Sequence, residues 1–239
     1  MKTTKDWLYF MRLPVLFILI AVVGTYLILV ANGYIFNLQA RKIEQTGMIY
    51  LKSDPKNVDV YLNGELKATK TPAKLPELLK GRYEVAIKKE GYHEWFKFYL
   101  VEKGYVNADD DIILFFENPE IISATEEEMK NFENYPQKLQ QTNIEIKNEN
   151  EIWLKSLNAN EEDVLVTRLS DIIKNAVYYS DKKHIIYQVK NEIRAVDLDG
   201  TNNINLLNLE SDARSDFMVD ENGQYLFFTD NGLKKARIH

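Results

Sequence analysis

The sequence contains no cysteine, which excludes disulfide bonds, thiolate metal ligands and cysteine nucleophiles. Histidine is scarce, and the 3 residues have neither the His-x-x-x-His nor the Glu-x-x-His spacing of a zinc site: His93, His184 and His239. A G-x-S-x-G motif and a phosphate-binding loop are missing too. The sequence therefore predicts a protein that is not an enzyme, with no metal site and no cofactor.

The chain is also short of positive charge, with a net charge of −6 over 239 residues. Nucleic-acid-binding domains usually present a basic face, so we expect no nucleic acid partner. The length suits one or two domains. Apolar residues make up 45% of the chain but are concentrated near the N-terminus. The remainder is rich in Tyr, Ile, Val and Phe, which favour strands.

Residues 13–36 contain no charged side chain and are long enough to cross a bilayer as a helix. The run exceeds the length of a signal-peptide core, and no A-x-A-like cleavage site follows it closely. We therefore predict an uncleaved transmembrane anchor. Residues 1–12 would form a cytoplasmic stub, because the basic residues and the amino terminus before the run slightly outweigh those after it: Lys2, Lys5 and Arg12 against Arg41 and Lys42. The remaining chain would then be extracytoplasmic.

Short strands separated by turns follow a polar connector at 37–46. Asn63-Gly64 stands between two apolar runs and predicts a type I′ hairpin turn. The segment 71–80 contains two prolines and cannot form a central strand. About six strands within 47–116 indicate a small antiparallel β-sandwich. We therefore predict a mainly β fold.

The order of motifs in this sandwich resembles a PEGA domain. The residues that carry the resemblance are Ser53, Pro55, Val58, Val60, Tyr61, Asn63, Gly64, Thr71, Pro72, Leu79, Gly81, Tyr83, Val85, Gly91 and Tyr92. The chain departs from the family where P-E-G-A would stand, since it has Lys-Asn-Val-Asp from Lys56 onward. The resemblance implies an envelope or surface module that binds rather than catalyses.

The segment 117–141 is acidic and predicts an inter-domain connector with a short helix at 126–132. Ser123 or Thr125 would cap this helix. The acidic residues at its start would be stabilised by the partial positive charge of the helix N-terminus.

Residues 142–239 contain a repeat of about 40 residues, the period of propeller blades. The sequence segments that begin at Val196 and Val219 resemble blades of TolB-like and WD40-like β-propellers. We count two good blades and an incomplete third, which ends in its third strand. Three explanations of this incomplete propeller remain open. The chain is truncated, its blades pack as an open stack, or another chain completes the propeller. His184 would lie exposed at a blade turn.

An aromatic-rich stretch supplies the candidate binding residues Tyr92, Trp95, Tyr99 and Tyr105. These rings could stack on a sugar, or they could belong to the sandwich core. Alternation places Trp95 and Tyr99 on one face of their strand, and the other face carries Phe96, Phe98 and Leu100. The acidic phrases at Asp109–111 and 197–202 lack the spacing of a calcium loop and are interpreted as a strand start and a turn.

These features together favour a membrane-anchored, extracytoplasmic binding or structural protein of a bacterial-type cell envelope. Its partners would be the lipid bilayer, through the N-terminal helix, and a cell-wall glycan or envelope proteins. The alternative hypothesis is a subunit of an envelope assembly, whose incomplete propeller is completed by homo-oligomerisation or by a partner protein.

Overall fold

A computed structural model describes residues 4–133, 143–156, 158 and 160–239. The chain begins with the helix α1 (Thr4–Ala31), whose segment Pro14–Ala31 has a mean hydropathy of 2.7 and is not buried. This helix is apolar and long enough to cross a membrane, as the sequence predicts. It ends earlier than the predicted span, because Gly33 takes a left-handed conformation with φ of 74°.

A two-stranded hairpin follows where the sequence predicts a polar connector. Its strands are β1 (Tyr34–Asn37) and β2 (Lys42–Gln45). The turn between them is stabilised by Asn37, whose Oδ1 accepts hydrogen bonds from the backbone N–H groups of Gln39 and Ala40 at 3.0 and 3.1 Å.

The sandwich that follows consists of two sheets. The first has the order β6-β3-β9 and the second β5-β4-β7-β8. The strands are β3 (Gly47–Asp54), β4 (Asp59–Leu62), β5 (Glu65–Ala68), β6 (Ala73–Leu78), β7 (Gly81–Lys88), β8 (Trp95–Val101) and β9 (Val106–Ile113). The predicted sandwich is confirmed. Most pairs are antiparallel as expected, but β3 and β9 pair in parallel, which the local sequence does not reveal.

Two local features of the sandwich follow directly from the sequence. Asn63 and Gly64 both have positive φ, of 50° and 80°, as a type I′ turn requires. Pro76 lies in β6, which is an edge strand and so needs no N–H at every position. The two sheets enclose a core that includes Ile49, Val60 and Ile87, which have no exposed surface.

The connector contains a short strand, β10 (Ile121–Ser123), and the helix α2 (Glu126–Glu133). Thr125 caps this helix: its Oγ1 accepts a hydrogen bond from the Glu128 N–H at 3.3 Å, and its own N–H donates to the Glu128 carboxylate at 2.8 Å. This reciprocal capping box agrees with one of the two predicted caps.

Three small sheets, here called blades 1 to 3, make up the rest of the chain. Blade 1 contains β11 (Ile144–Lys147), β12 (Glu151–Leu154) and β13 (Val164–Arg168). Blade 2 contains β14 (Ile173–Tyr178), β15 (His184–Val189), β16 (Glu192–Asp197) and β17 (Ile204–Asn208). Blade 3 contains β18 (Phe217–Val219), β19 (Tyr225–Thr229) and β20 (Leu233–Arg237).

The fourth strand of blade 3 comes from the connector. β10 pairs with β20 and occupies the outer position that β17 has in blade 2. The third blade, which looks incomplete in the sequence, therefore takes its last strand from a distant part of the same chain. The pairing could not be predicted locally, because a strand of three residues carries almost no periodic signal.

Blade 2 is the middle layer of the stack and is buried on both faces. Ile185 packs in the core shared with blade 1, whereas Ile186 packs in the core shared with blade 3. Every residue of β15 is buried, so this strand does not alternate between buried and exposed positions, and its polar residues His184 and Gln188 are buried too.

Replacing either Ile185 or Ile186 by alanine should lower the free energy of unfolding by about 2–5 kcal/mol, because each side chain fills a core. Val164→Ala, at an exposed position of blade 1, is the matched control and should change it by less than about 0.5 kcal/mol. Urea unfolding of the detergent-solubilised chain measures the three values. A cost near that of the control for one isoleucine would contradict the three-layer packing.

Candidate functional site

The sandwich and the blades meet at residues 114–116, which run between the two units. Leu114 is buried in the sandwich core, whereas its neighbour Phe115 is buried in the core of blades 2 and 3. The backbone N–H of Phe116 donates to the carbonyl of Ile238 at 3.0 Å. Because consecutive side chains of one extended segment fill both cores, the two units are packed against each other at this junction.

A cleft of about 250 Å³ lies beside this junction. One wall is formed by β8 and β9, and the other by the ends of β15 and β16 in blade 2. The lining residues are Trp95, Lys97, Asp109, Asp111, Ile112, Lys183, His184, Asp197, Leu198 and Asp199. The fold thus brings together the two acidic segments, Asp109–111 and 197–202, which from the sequence are interpreted as a strand start and a turn.

Lysine side chains cross the cleft and form ion pairs with the carboxylates that line it. The Nζ of Lys97 lies 3.5 Å from carboxylate oxygens of both Asp109 and Asp199. Lys183 pairs with Asp111 in the same way. Burial acts to lower the pKa of Lys97, but the negative charges of Asp109 and Asp199 outweigh it and raise that pKa. Lys97 therefore remains charged and links the sandwich to blade 2.

His184 lies between two carboxylates at the cleft. Its Nδ1 lies 2.6 Å from Asp181 and its Nε2 lies 3.2 Å from Asp197. The ring also makes edge-to-face contacts with Phe115 and Tyr179, with centroids at 5.5 and 5.7 Å. The prediction of an exposed His184 is wrong: the residue is 6% exposed, because Phe115 reaches it from a part of the chain that the local sequence does not indicate.

The protonation state of His184 follows from these contacts. Burial acts to lower its pKa, but the hydrogen bonds and charges of Asp181 and Asp197 raise it to about 9. For Asp181, burial acts to raise the pKa, and the hydrogen bond and charge of His184 lower it. The imidazolium thus sits between two carboxylates at neutral pH and donates a hydrogen bond to each.

The arrangement is suited to holding two units together. Within the described part of the chain, no group of three or more His, Asp and Glu residues is placed to bind a metal ion. The carboxylates at the cleft point instead to lysine, histidine or hydroxyl partners. The hydroxyl of Tyr99, for example, donates to Asp109, and burial, followed by this contact, raises its pKa.

The candidate binding residues of the sequence analysis lie at three different places. Trp95 and Tyr99 are 5% and 6% exposed and pack in the sandwich core. Tyr92 is half-buried and its ring lies 4.6 Å from that of Phe116 at the junction. Tyr105 is 71% exposed on the segment before β9. The four rings do not form one shared surface, and a binding role for them stays a prediction.

The opposite face of β8 carries a row of exposed apolar side chains, here called the aromatic face: Phe96, Phe98 and Leu100. They are 41%, 46% and 64% exposed. The rings of Phe96 and Phe98 meet edge-to-face with centroids 6.1 Å apart, and the guanidinium of Arg82 lies 4.0 Å from the centre of the Phe98 ring. Strand alternation predicts that these residues share a face but does not show which face is exposed.

Comparison with known proteins supports the sandwich assignment. The PEGA domain family matches residues 46–109, which confirms the resemblance for that segment. No curated protein matches the chain. Among solved structures, it is similar to a quinonprotein alcohol dehydrogenase-like protein from Bacteroides thetaiotaomicron, with 12% identity and a TM-score of 0.22. The match covers 76% of this chain and 51% of that one, so the chain spans about half its length.

The raised pKa of His184 predicts a loss of stability at alkaline pH. An unfolded histidine titrates near 6.5, so the stabilisation is fully present below about pH 6.5 and is lost as pH rises through about 9. The pKa difference corresponds to about 3 kcal/mol of the free energy of unfolding. Urea unfolding at pH 6, 7.5 and 9 measures this slope, which His184→Gln should remove.

His93→Gln is the matched control, because burial is the main influence on the pKa of His93 and lowers it. This variant should keep the alkaline loss of stability. An unchanged slope in His184→Gln would show that the imidazolium does not stabilise the cleft.

Proposed function

We propose that the protein is a membrane-anchored, non-catalytic module of a bacterial-type cell envelope, which binds a cell-wall glycan on the aromatic face. Three features support an anchored binding module: the unburied apolar helix α1, the match to the PEGA domain family and the close packing of the sandwich on the blades. The single observation that carries the glycan assignment is the exposed row formed by Phe96, Phe98 and Leu100.

This row is not needed for the sandwich core. The core is filled from the other side of β8 by Trp95, Tyr99 and Val101. Exposed rings on a regular strand are unfavourable in water, because each leaves apolar surface in contact with solvent and so raises the free energy of the folded protein. A ligand with apolar faces that stacks on the rings would recover that free energy.

The polar neighbours of the aromatic face suit a sugar polymer. On β7, Arg82 lies opposite Leu100 and Glu84 lies opposite Phe98. Their side chains supply hydrogen-bond donors and acceptors beside the rings, and sugars need both, because they alternate apolar C–H faces with hydroxyl groups. An open strand surface admits an extended polymer, whereas the charged cleft is occupied by its own ion pairs.

Phe98→Ala should weaken binding of purified peptidoglycan fragments by about tenfold or more, as expected for an aromatic anchor. Titration of the detergent-solubilised chain with the fragments measures the affinity. Tyr105→Ala, at another exposed ring, is the control and should bind within about twofold of the unchanged chain.

A loss of binding in Tyr105→Ala but not in Phe98→Ala would instead favour the residues singled out in the sequence. Binding of an envelope protein, with no binding of glycan by the unchanged chain, would contradict the glycan assignment and leave the anchored module standing.

The orientation of the anchor is part of this proposal, with the N-terminus in the cytoplasm and the body outside. The absence of cysteine allows a direct measurement with single substitutions. In intact cells Leu66→Cys should react with a membrane-impermeant maleimide, because Leu66 is an exposed residue of the sandwich. Lys5→Cys should react only after the membrane is permeabilised. The reverse pattern would contradict the proposed orientation.

Completion of the propeller by another chain stays an alternative hypothesis. The outer face of blade 1 carries an ion pair between Arg168 and Glu151 at 2.6 Å, and that of blade 3 carries one between Lys235 and Glu128 at 2.5 Å. Each pair places charged groups on a surface against which a partner's blade would have to pack, so we favour a body that does not take up a partner's blade there. A mass that rises with protein concentration would support the alternative.

A further inference from the structure

The hairpin β1–β2 exposes apolar side chains at the point where the chain leaves α1. Phe36, Leu38 and Ile43 are 58%, 81% and 55% exposed. Phe36 and Ile43 are directly opposite each other across the two strands and so share one face, while Leu38 follows at the turn.

On the other face of the hairpin lie Ile35, Asn37, Lys42 and Glu44, and Glu44 reaches the sandwich. Glu44 pairs with Lys103 of the sandwich at 3.4 Å and with Lys42 at 3.1 Å. The Asn37 side-chain amide donates to Glu44 at 2.6 Å. A hairpin surrounded by water would normally bury its large apolar side chains on the body, whereas Phe36, Leu38 and Ile43 are exposed.

The position of the hairpin is fixed by its attachment to α1 and to the sandwich. The backbone N–H and the Oγ1 of Thr46 both donate to the Gly33 carbonyl at 2.8 Å, which closes the base of the hairpin directly after the helix. The Gly104 N–H donates to the Thr46 carbonyl at 2.9 Å on the sandwich side. Strand β1 also contacts α1. No linker separates the helix from the sandwich.

This attachment places the base of the hairpin at the level of the lipid headgroups. The span Pro14–Ala31 is 18 residues long, or roughly 27 Å as a helix, which nearly equals the hydrocarbon thickness. The headgroup layer adds roughly 5–7 Å on each side. A hairpin that starts at Gly33 therefore begins inside this layer.

We propose that the hairpin is a second membrane contact, with Phe36, Leu38 and Ile43 inserted at the headgroup boundary and with Arg41 on anionic headgroups. The proposal rests on the proposed function in that α1 must be a membrane anchor. Arg41 is exposed at the turn that contains Leu38, where anionic lipid headgroups would attract its charge.

Spin labels on single cysteines in the full chain, reconstituted in vesicles, test this contact. We expect the label at Leu38→Cys to collide more with oxygen, which concentrates in lipid, than with a water-soluble nickel chelate. The label at Leu66→Cys on the sandwich should show the opposite preference, and a label at Ile20→Cys in α1 should report the bilayer interior.

The outcomes separate the contact from the anchor. If Leu38 resembles Leu66 while Ile20 is in the bilayer, the hairpin proposal fails and the anchor stands. If Ile20 is exposed to the nickel chelate, the anchor itself fails. If Leu38 is shielded from both reagents, a protein surface covers it and the lipid contact is overturned.

Lipid composition tests the charge component. Adding phosphatidylglycerol to phosphatidylcholine vesicles should raise the oxygen-to-nickel collision ratio at Leu38 several-fold. The substitution Arg41→Gln should abolish this rise. A ratio that is independent of phosphatidylglycerol would overturn the assignment of anionic headgroups to Arg41.

Discussion

The packing of residues 114–116 between two cores is the constraint on which the rest of the structure depends. Leu114 completes the sandwich core and Phe115 completes the core of blades 2 and 3. Neither unit can move far from the other without withdrawing a large apolar side chain, at a cost of several kcal/mol by the usual scale for core residues. The ion pairs of Lys97 with Asp109 and Asp199 cross the cleft beside this apolar interface, and His184 packs on Phe115 at its edge.

The same rigidity extends toward the helix α1. Thr46 joins the base of the hairpin to Gly33 and Gly104, so α1 continues into the sandwich without a linker. Gly47 reinforces this connection, because a Cβ there would lie 2.5 Å from the Glu102 carbonyl oxygen. The aromatic face on β8 is therefore connected to the helix through a hydrogen-bonded junction, which fits the proposed role of holding a ligand near a membrane.

The sequence predicts a feature of this structure when the residues that form it are close together along the chain. The Asn63-Gly64 turn, the edge position of Pro76 and the Thr125 cap follow from neighbours within a few positions. The apolar helix and the sandwich also follow from local patterns, and the short strand β10 does not.

The candidate site was less predictable, because its parts come from distant segments. Asp109 and Asp199 carry no sign in the sequence that Lys97 lies between them, and the burial of His184 depends on Phe115. Alternation along β8 predicts two aromatic faces, but only the three-dimensional packing shows that Trp95 is inside and Phe98 outside.

The distance between the sandwich and the blades tests this structure most directly. Two spin labels, at Leu66→Cys in the sandwich and Val164→Cys in blade 1, would be measured by pulsed electron paramagnetic resonance in the full chain at pH 7. A pair within the sandwich, Leu66→Cys and Leu100→Cys, gives the width due to the labels alone. Packing at residues 114–116 predicts one distance distribution about as narrow as this reference. A broad or two-peaked distribution would contradict it.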